Sequence, residues 1–294
     1  MPEQLFAWQK FSLRIPEDWV LARYEGDAAR GYLRIDDEDM VRVELKWETA
    51  TKVPDLEKMV ERYLKGTAKE MKKSRLPFTS ERHLKLVKFP GKRFELFRWR
   101  GECECWCFVT WCAECGRVVI GRLICREYEN SKELARSIFG SFRDHPDGEY
   151  QRWAVFGLDC SAPKQWVLVQ SSLRPGLAEL EFDLAGERIR FTRVSIAHIV
   201  LQGKTIEQWY REFFEKRLRP LGVEFENTTH RGHTACRATG KQRRTIPFLG
   251  PARLEALIWL CEPEDKVFAL SYFGKKGMDL SPLARLFRCH REEG

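Results

Sequence analysis

Polar and apolar residues alternate strictly in several stretches of this chain. Val41, Val43, Leu45 and Trp47 are separated by Arg42, Glu44 and Lys46, the period-two pattern of a strand with one buried and one wetted face. Ile189 and Phe191 alternate with Arg188, Arg190 and Thr192 in the same way. Turn-forming Glu25-Gly26-Asp27 and acidic Asp36-Asp37-Glu38-Asp39 break the run from Pro16 to Trp47 into short antiparallel strands. The period then changes. Leu56, Met59, Val60, Tyr63 and Leu64 fall at helical spacing behind Asp55, a residue suited to an N-cap. Residues 82–89, 93–111 and 116–126 read as strands, with turns at Pro90-Gly91 and Ala113-Glu114, and Ser131 to Phe142 reads as a closing helix with Leu134, Ile138 and Phe142 on one face.

The same order recurs at an offset of about 148 residues, the kind of self-similarity that exposes a repeated unit. Pro16 and Trp19-Val20-Leu21 answer to Pro163 and Trp166-Val167-Leu168, and Leu33-Arg34-Ile35-Asp36 answers to Leu180-Glu181-Phe182-Asp183. Trp111 meets Trp259, and Leu134-Ala135-Arg136 meets Leu283-Ala284-Arg285. A second helix is expected from Thr205, carrying Ile206, Trp209, Tyr210, Phe213 and Phe214, and a second closing helix has Pro282 near its first turn. The Asp144-His145-Pro146-Asp147-Gly148 cluster marks the linker. Two domains are therefore expected, 1–147 and 148–294, each α+β with a mainly antiparallel sheet covered by helices, forming a pseudo-dimer within one chain.

The early Pro-x-x-Trp after a Phe-rich strand and the closing Ser141-Phe142-Arg143 resemble the PsbP-like or Mog-type fold, an α/β/α sandwich. The resemblance spans most of both halves. It implies a mostly non-enzymatic protein that binds a small GTPase, associates with photosystem II or chaperones type VI secretion effectors. It carries over no catalytic residue, because fold does not fix function.

Composition narrows the picture only a little. The net charge of +8 divides as about +3 over residues 1–147 and about +5 over the rest, too little in either half to announce nucleic-acid binding. The N-terminal Met1-Pro2-Glu3-Gln4-Leu5-Phe6 has no secretory-signal pattern, and no stretch approaches the roughly 18 apolar residues of a membrane span. A cytoplasmic protein with reduced thiols is expected.

Candidate chemistry lies in the cysteines. Cys103, Cys105 and Cys107 alternate with Glu102, Glu104 and Trp106, so all three can enter the core as small apolar groups. Cys112-Ala113-Glu114-Cys115-Gly116 has the shape of a zinc knuckle, yet only one such pair is present, and Leu260-Cys261-Glu262-Pro263-Glu264 in the second half cannot form the same one. Buried structural thiols with no cofactor are the favoured reading; the alternatives are a metal-binding protein or enzyme using this Cys-rich hairpin, with zinc or iron at Cys112 and Cys115, and thiol redox chemistry. His230, His233 and Cys236 are three residues apart, which on a strand splits them between faces. His83, His145, His198 and His290 read as isolated.

Catalytic fingerprints are absent from both halves. The favoured function is thus a protein-binding adaptor or chaperone using charged sheet positions, with Arg34, Arg42, Lys46, Arg98, Arg100, Arg188 and Arg190 as candidate contacts. Arg243 and Arg244, in the basic run Lys241-Gln242-Arg243-Arg244, are further candidates and the best feature for a disfavoured nucleic-acid reading.

Overall fold

A computed structural model of the chain describes residues 2–146, 148–242 and 252–290. It divides into two compact units, Met1–Pro146 and Asp147–Gly294. Arg243 and Arg244 lie outside the described residues.

The first unit opens with a hairpin of β1 (Glu3–Trp8) and β2 (Phe11–Pro16). Its turn residues Gln9 and Lys10 both have positive φ, the conformation whose twist matches that of paired strands. β3 (Val20–Gly26), β4 (Arg30–Asp36) and β5 (Val41–Thr49) follow, then α1 (Leu56–Lys73), β6 (Thr79–Glu81), β7 (Lys92–Arg100), β8 (Glu104–Cys112), β9 (Arg117–Cys125) and α2 (Ser131–Ser141). The strands form one antiparallel sheet in the order β3-β4-β5-β9-β8-β7-β6.

The second unit begins with the hairpin of β10 (Tyr150–Val155) and β11 (Leu158–Pro163). β12 (Val167–Arg174), β13 (Leu177–Leu184), β14 (Glu187–Ser195), α3 (Ala197–Leu201), α4 (Ile206–Phe213), α5 (Glu215–Leu218), β15 (Leu221–His230), β16 (His233–Gln242), β17 (Arg253–Cys261), β18 (Lys266–Gly274) and α6 (Ser281–Arg285) complete it. Its sheet runs β12-β13-β14-β18-β17-β16-β15, the same order of pairing as in the first unit.

Each sheet is covered on both faces by residues of alternating parity. In the first unit Leu56, Val60 and Leu64 of α1 lie on Phe97, Trp99, Cys105, Cys107 and Val109. On the opposite face Phe108 meets Phe139 and Phe142, and Trp47 meets Phe11. Gly121 makes this possible, since a Cβ there would stand only 2.2 Å from the Phe108 ring. In the second unit Ile206, Trp209, Tyr210 and Phe214 cover Cys236, Ala238, Leu254 and Ile258, and Phe287 enters the other face against Phe191, Trp259 and Phe268. The helix starts expected from sequence are present: the Asp55 carboxylate accepts from the Lys58 N–H at 3.1 Å, and Thr205 forms a capping box with Gln208.

Three local expectations need correction. Residues 93–111 are two strands, β7 and β8, because Gly101-Glu102-Cys103 turns the chain, and Cys103 sits in that turn. Residues 82–89 form no strand; β6 is three residues long and ends before them. The helix predicted from Thr205 ends at Phe213, and Phe214, with ψ near 17°, separates it from α5 as the cap residue between the two.

Candidate metal centre

β8 ends at Cys112, and the chain reverses through Ala113, Glu114 and Cys115 to enter β9 at Arg117. Gly116 closes the turn with φ +69°, a left-handed conformation that glycine adopts without a Cβ clash, and its N–H donates to the Cys112 carbonyl at 2.9 Å. Both thiols of the knuckle are thereby gathered at the end of the hairpin.

The third ligand comes from the chain beyond α2. Phe142 leaves the helix in an extended conformation and is buried in the aromatic core, 5.0 Å from Phe108 between centroids. Arg143 then exchanges two backbone hydrogen bonds with Ser12, at 2.7 and 2.9 Å. These anchors deliver Asp144 and His145 to the hairpin end. His145 Nε2 lies 3.3 Å from Cys112 Sγ, and the ligand atoms of Cys112, Cys115 and His145 are all within 4.8 Å of one another. With bonds of roughly 2.3 Å to sulfur and 2.0 Å to nitrogen, a tetrahedral zinc ion needs donor separations of about 3.5–3.8 Å. The site is close to that size.

Electrostatics around the trio favour a thiolate. Burial pushes the Cys112 thiol up, but N–H groups of Cys115 and Glu114 and the His145 ring outweigh it and hold the thiol at about 7. Cys115 is raised, first by burial and then by the neighbouring Asp144 charge, against the Arg117 N–H. Asp144 Oδ2 is 3.6 Å from Cys115 Sγ and 3.7 Å from Lys92 Nζ, while Arg117 Nε is 3.2 Å from Asp144 Oδ1. Burial raises the Asp144 pKa in spite of those two cations. Arg117 is itself buried over the Phe11 ring and donates to the Gln9 carbonyl at 2.9 Å.

The remaining cysteines of this hairpin behave differently. Cys105 and Cys107 are buried beneath α1, and burial pushes Cys107 up to about 12, so it stays a protonated apolar group. Cys125 is likewise pushed to about 12 by burial. Cys103 is half-buried in its turn, 3.6 Å from Cys105. The His230/Cys236 pair is split: the His230 ring lies 4.7 Å from Trp259, and Cys236 is in the core beneath α4. A further group, Glu57, His83 and Glu95, converges on the solvent-exposed side of α1.

The arginines proposed as partner contacts are engaged within their own units. Arg42 is the clearest departure, because it is 1% exposed and points inward. Both Glu129 carboxylate oxygens accept from its Nη2 at 2.8 Å, Asp37 is 3.4 Å from Nη1, and the guanidinium stacks 4.6 Å from the Trp19 ring. Arg190 is also buried, held by Glu181 and by Glu179 at 3.1 Å. Arg188 pairs with Glu181 at 2.7 Å and Asp183 at 3.3 Å. Arg34 pairs with Asp36 at 2.9 Å, Arg98 with Glu104 at 3.0 Å, and Arg100 with Glu104 at 3.1 Å. Lys46 is exposed on β5. Acids of the same unit, several of them on the adjacent strand, explain the charged pattern without requiring a partner.

Sequence reasoning found Cys112 and Cys115 but treated His145 as isolated. Its only signal was the short run Phe142-Arg143-Asp144-His145, in which a buried aromatic fixes where the histidine falls.

No protein-family model matches the chain, and no curated protein matches it. Solved structures do. One is the cyanobacterial PsbP (CyanoP) of Synechocystis sp. PCC 6803, at 15% identity and a TM-score of 0.36, covering 49% of this chain and 92% of that one. Another is the type VI secretion immunity protein TplEi of Pseudomonas aeruginosa, at 8% identity and a TM-score of 0.34, covering 94% of this chain and 88% of that one. No described helix is long and apolar enough to cross a membrane.

Proposed function

We propose that this protein is a non-enzymatic cytoplasmic binding scaffold built from two PsbP-like/Mog-type units, and that its first unit is held in shape by a zinc ion on Cys112, Cys115 and His145. The observation that carries the metal reading is the meeting of two knuckle thiols with an imidazole 33 residues from Cys112, delivered by a separately anchored segment. Two thiolates and an imidazole are a donor set suited to zinc, and the Asp144 carboxylate stands beside Cys115, held there by Lys92 and Arg117. Such an ion would tie the segment after α2 to the end of the β8–β9 hairpin. Elemental analysis of the purified full chain tests this: near-stoichiometric zinc that falls when Cys112 and Cys115 are replaced by serine supports it, and unchanged metal content in that variant refutes it.

A protein partner is favoured by a separate observation. β3 and β12 are the first strands of their sheets, and they expose Val20 in one unit and Val167 and Val169 in the other, Val167 being 63% exposed. An exposed apolar edge strand is a template for strand addition by an extended segment. Affinity capture from the native cell, repeated with Val167→Lys and Val169→Lys, tests it. Recovery of the same partners by wild type and variant would remove the edge strand from the account.

A further inference from the structure

The second unit has its own convergence of metal-ligating groups, and it draws on residues that form no knuckle. Ala235 of β16 pairs with Trp259 of β17, and His233 and Cys261 lie just beyond that pair, at the same end of the two strands. α6 is followed by Phe287, fully buried among Phe191, Trp259 and Phe268, and the Arg288 N–H donates to the Asp159 carbonyl at 2.8 Å. Those anchors set down Cys289 and His290 beside the hairpin end. His290 Nδ1 is 3.2 Å from Cys289 Sγ and 3.5 Å from Cys261 Sγ, and His233 Nε2 is 3.4 Å from Cys289 Sγ. All four ligand atoms lie within 4.8 Å of one another.

Three sulfur–nitrogen contacts share only two thiols and two ring nitrogens. A ring nitrogen carries either one proton or one lone pair, yet His290 Nδ1 faces two sulfurs at once, while His233 directs its own nitrogen at one of the same sulfurs. A single cation among the four would meet all of these atoms. We infer that His233, Cys261, Cys289 and His290 form a second, closed Cys2His2 zinc site, extending to the second unit the metal chemistry proposed for the first. Two thiolates neutralise the ion, and two neutral imidazoles complete a tetrahedron of the kind that structural zinc prefers. Cys261 is fully buried and Cys289 nearly so, while the two rings are half-buried and cover the ion from solvent. The position in the fold is that of the first centre: a cysteine ending the strand before the last hairpin turn, and a histidine just past the closing helix.

The test uses the full chain, metal-loaded and dialysed, with zinc counted per chain in wild type, Cys112→Ser/Cys115→Ser, Cys261→Ser/Cys289→Ser and the fourfold variant. Two ions in wild type, one in each double variant and none in the fourfold variant are expected. Loss of zinc only from the Cys112/Cys115 variant would overturn this inference and leave the first-unit reading standing; loss only from the Cys261/Cys289 variant would do the reverse. Because removing a buried thiol can itself unfold a unit, metal-stripped wild type is also titrated with Co2+. A tetrahedral thiolate-cobalt spectrum that survives Cys112→Ser/Cys115→Ser and loses intensity in His233→Ala supports the site. Its absence from the Cys112→Ser/Cys115→Ser protein would overturn it.

Discussion

The ends of the two last hairpins place different residues at matching positions. At the hairpin cysteine, the first unit pairs Lys92 with Cys112, where the second brings the ligand atoms of His233 and Cys261 within 4.8 Å of each other. After a buried phenylalanine and an exposed arginine, the first unit has Asp144-His145, where the second has Cys289-His290. One end therefore carries a hard carboxylate claimed by two tethered cations, Lys92 and Arg117; the other carries a soft thiol and an imidazole. The backbone brings a strand end and a post-helix segment together in both units, and the side chains set there decide how strongly a metal is held. In the first unit the ammonium of Lys92 stands where an incoming ion would be repelled, and Asp144 must give up ion pairing to become a ligand. A closed neutral quartet has neither handicap. The second centre should accordingly be the tighter of the two.

Chelation should expose the largest difference. An ion present at about 1,000 times its dissociation constant contributes about 4 kcal/mol of stability, so stripping metal should lower the stability of the second unit by about that much and of the first by much less. Hydrogen exchange resolved by peptide would measure both; equal losses would erase the contrast.

Loss of the buried carboxylate at the centre of the second unit's arginine cluster comes next. Glu181 is 1% exposed and meets Arg188, Arg190 and Arg217, so Glu181→Gln should cost about 3 kcal/mol, chiefly by stranding the buried Arg190 guanidinium, as judged by denaturant unfolding. Burial acts to raise the Glu181 pKa, but the hydrogen bonds from Arg188 and Arg190 outweigh it and leave the carboxyl below its usual value. The folded pKa thus lies below the unfolded one. Its stabilisation is complete above the unfolded value of about 4.3 and is lost as pH falls through the folded value, so wild type should lose stability in acid and Glu181→Gln should lose less over the same range.

Smaller effects sharpen the first centre. Lys92→Ala should raise its zinc affinity about tenfold by removing the tethered cation beside Asp144, a change of roughly 1.4 kcal/mol readable by competition with a chromophoric chelator. A weakened site would show that Lys92 supports the metal. Arg34→Ala should change stability by less than about 1 kcal/mol, because its pair with Asp36 is partly exposed and screened.

Local features of both units were readable along the chain. Asp55 and Thr205 announced helix starts because capping is satisfied within three residues, and the Cys105/Cys107 alternation announced burial because a strand shows its faces two by two. The Cys103 turn was hidden, since Gly101-Glu102-Cys103 interrupts an alternating polar and apolar run that otherwise reads as one continuous strand. Arg42 looked outward for a similar reason: alternation predicts a face, but not that Glu129, 87 residues away, will bury the guanidinium. The metal groups were the least legible. His145 reaches Cys112 across 33 positions and Cys289 reaches His233 across 56, distances bridged only once Phe142 and Phe287 are seated in their cores. The knuckle itself was visible because its two thiols are local.

One place in each unit is thus proposed to hold a metal, with unequal strength. Timed release of zinc from the fully loaded protein to an excess of chromophoric chelator tests it most directly. Two phases are expected, the faster one abolished by Cys112→Ser/Cys115→Ser and the slower one by Cys261→Ser/Cys289→Ser. A single phase, or a fast phase that disappears with Cys261 and Cys289, would contradict it.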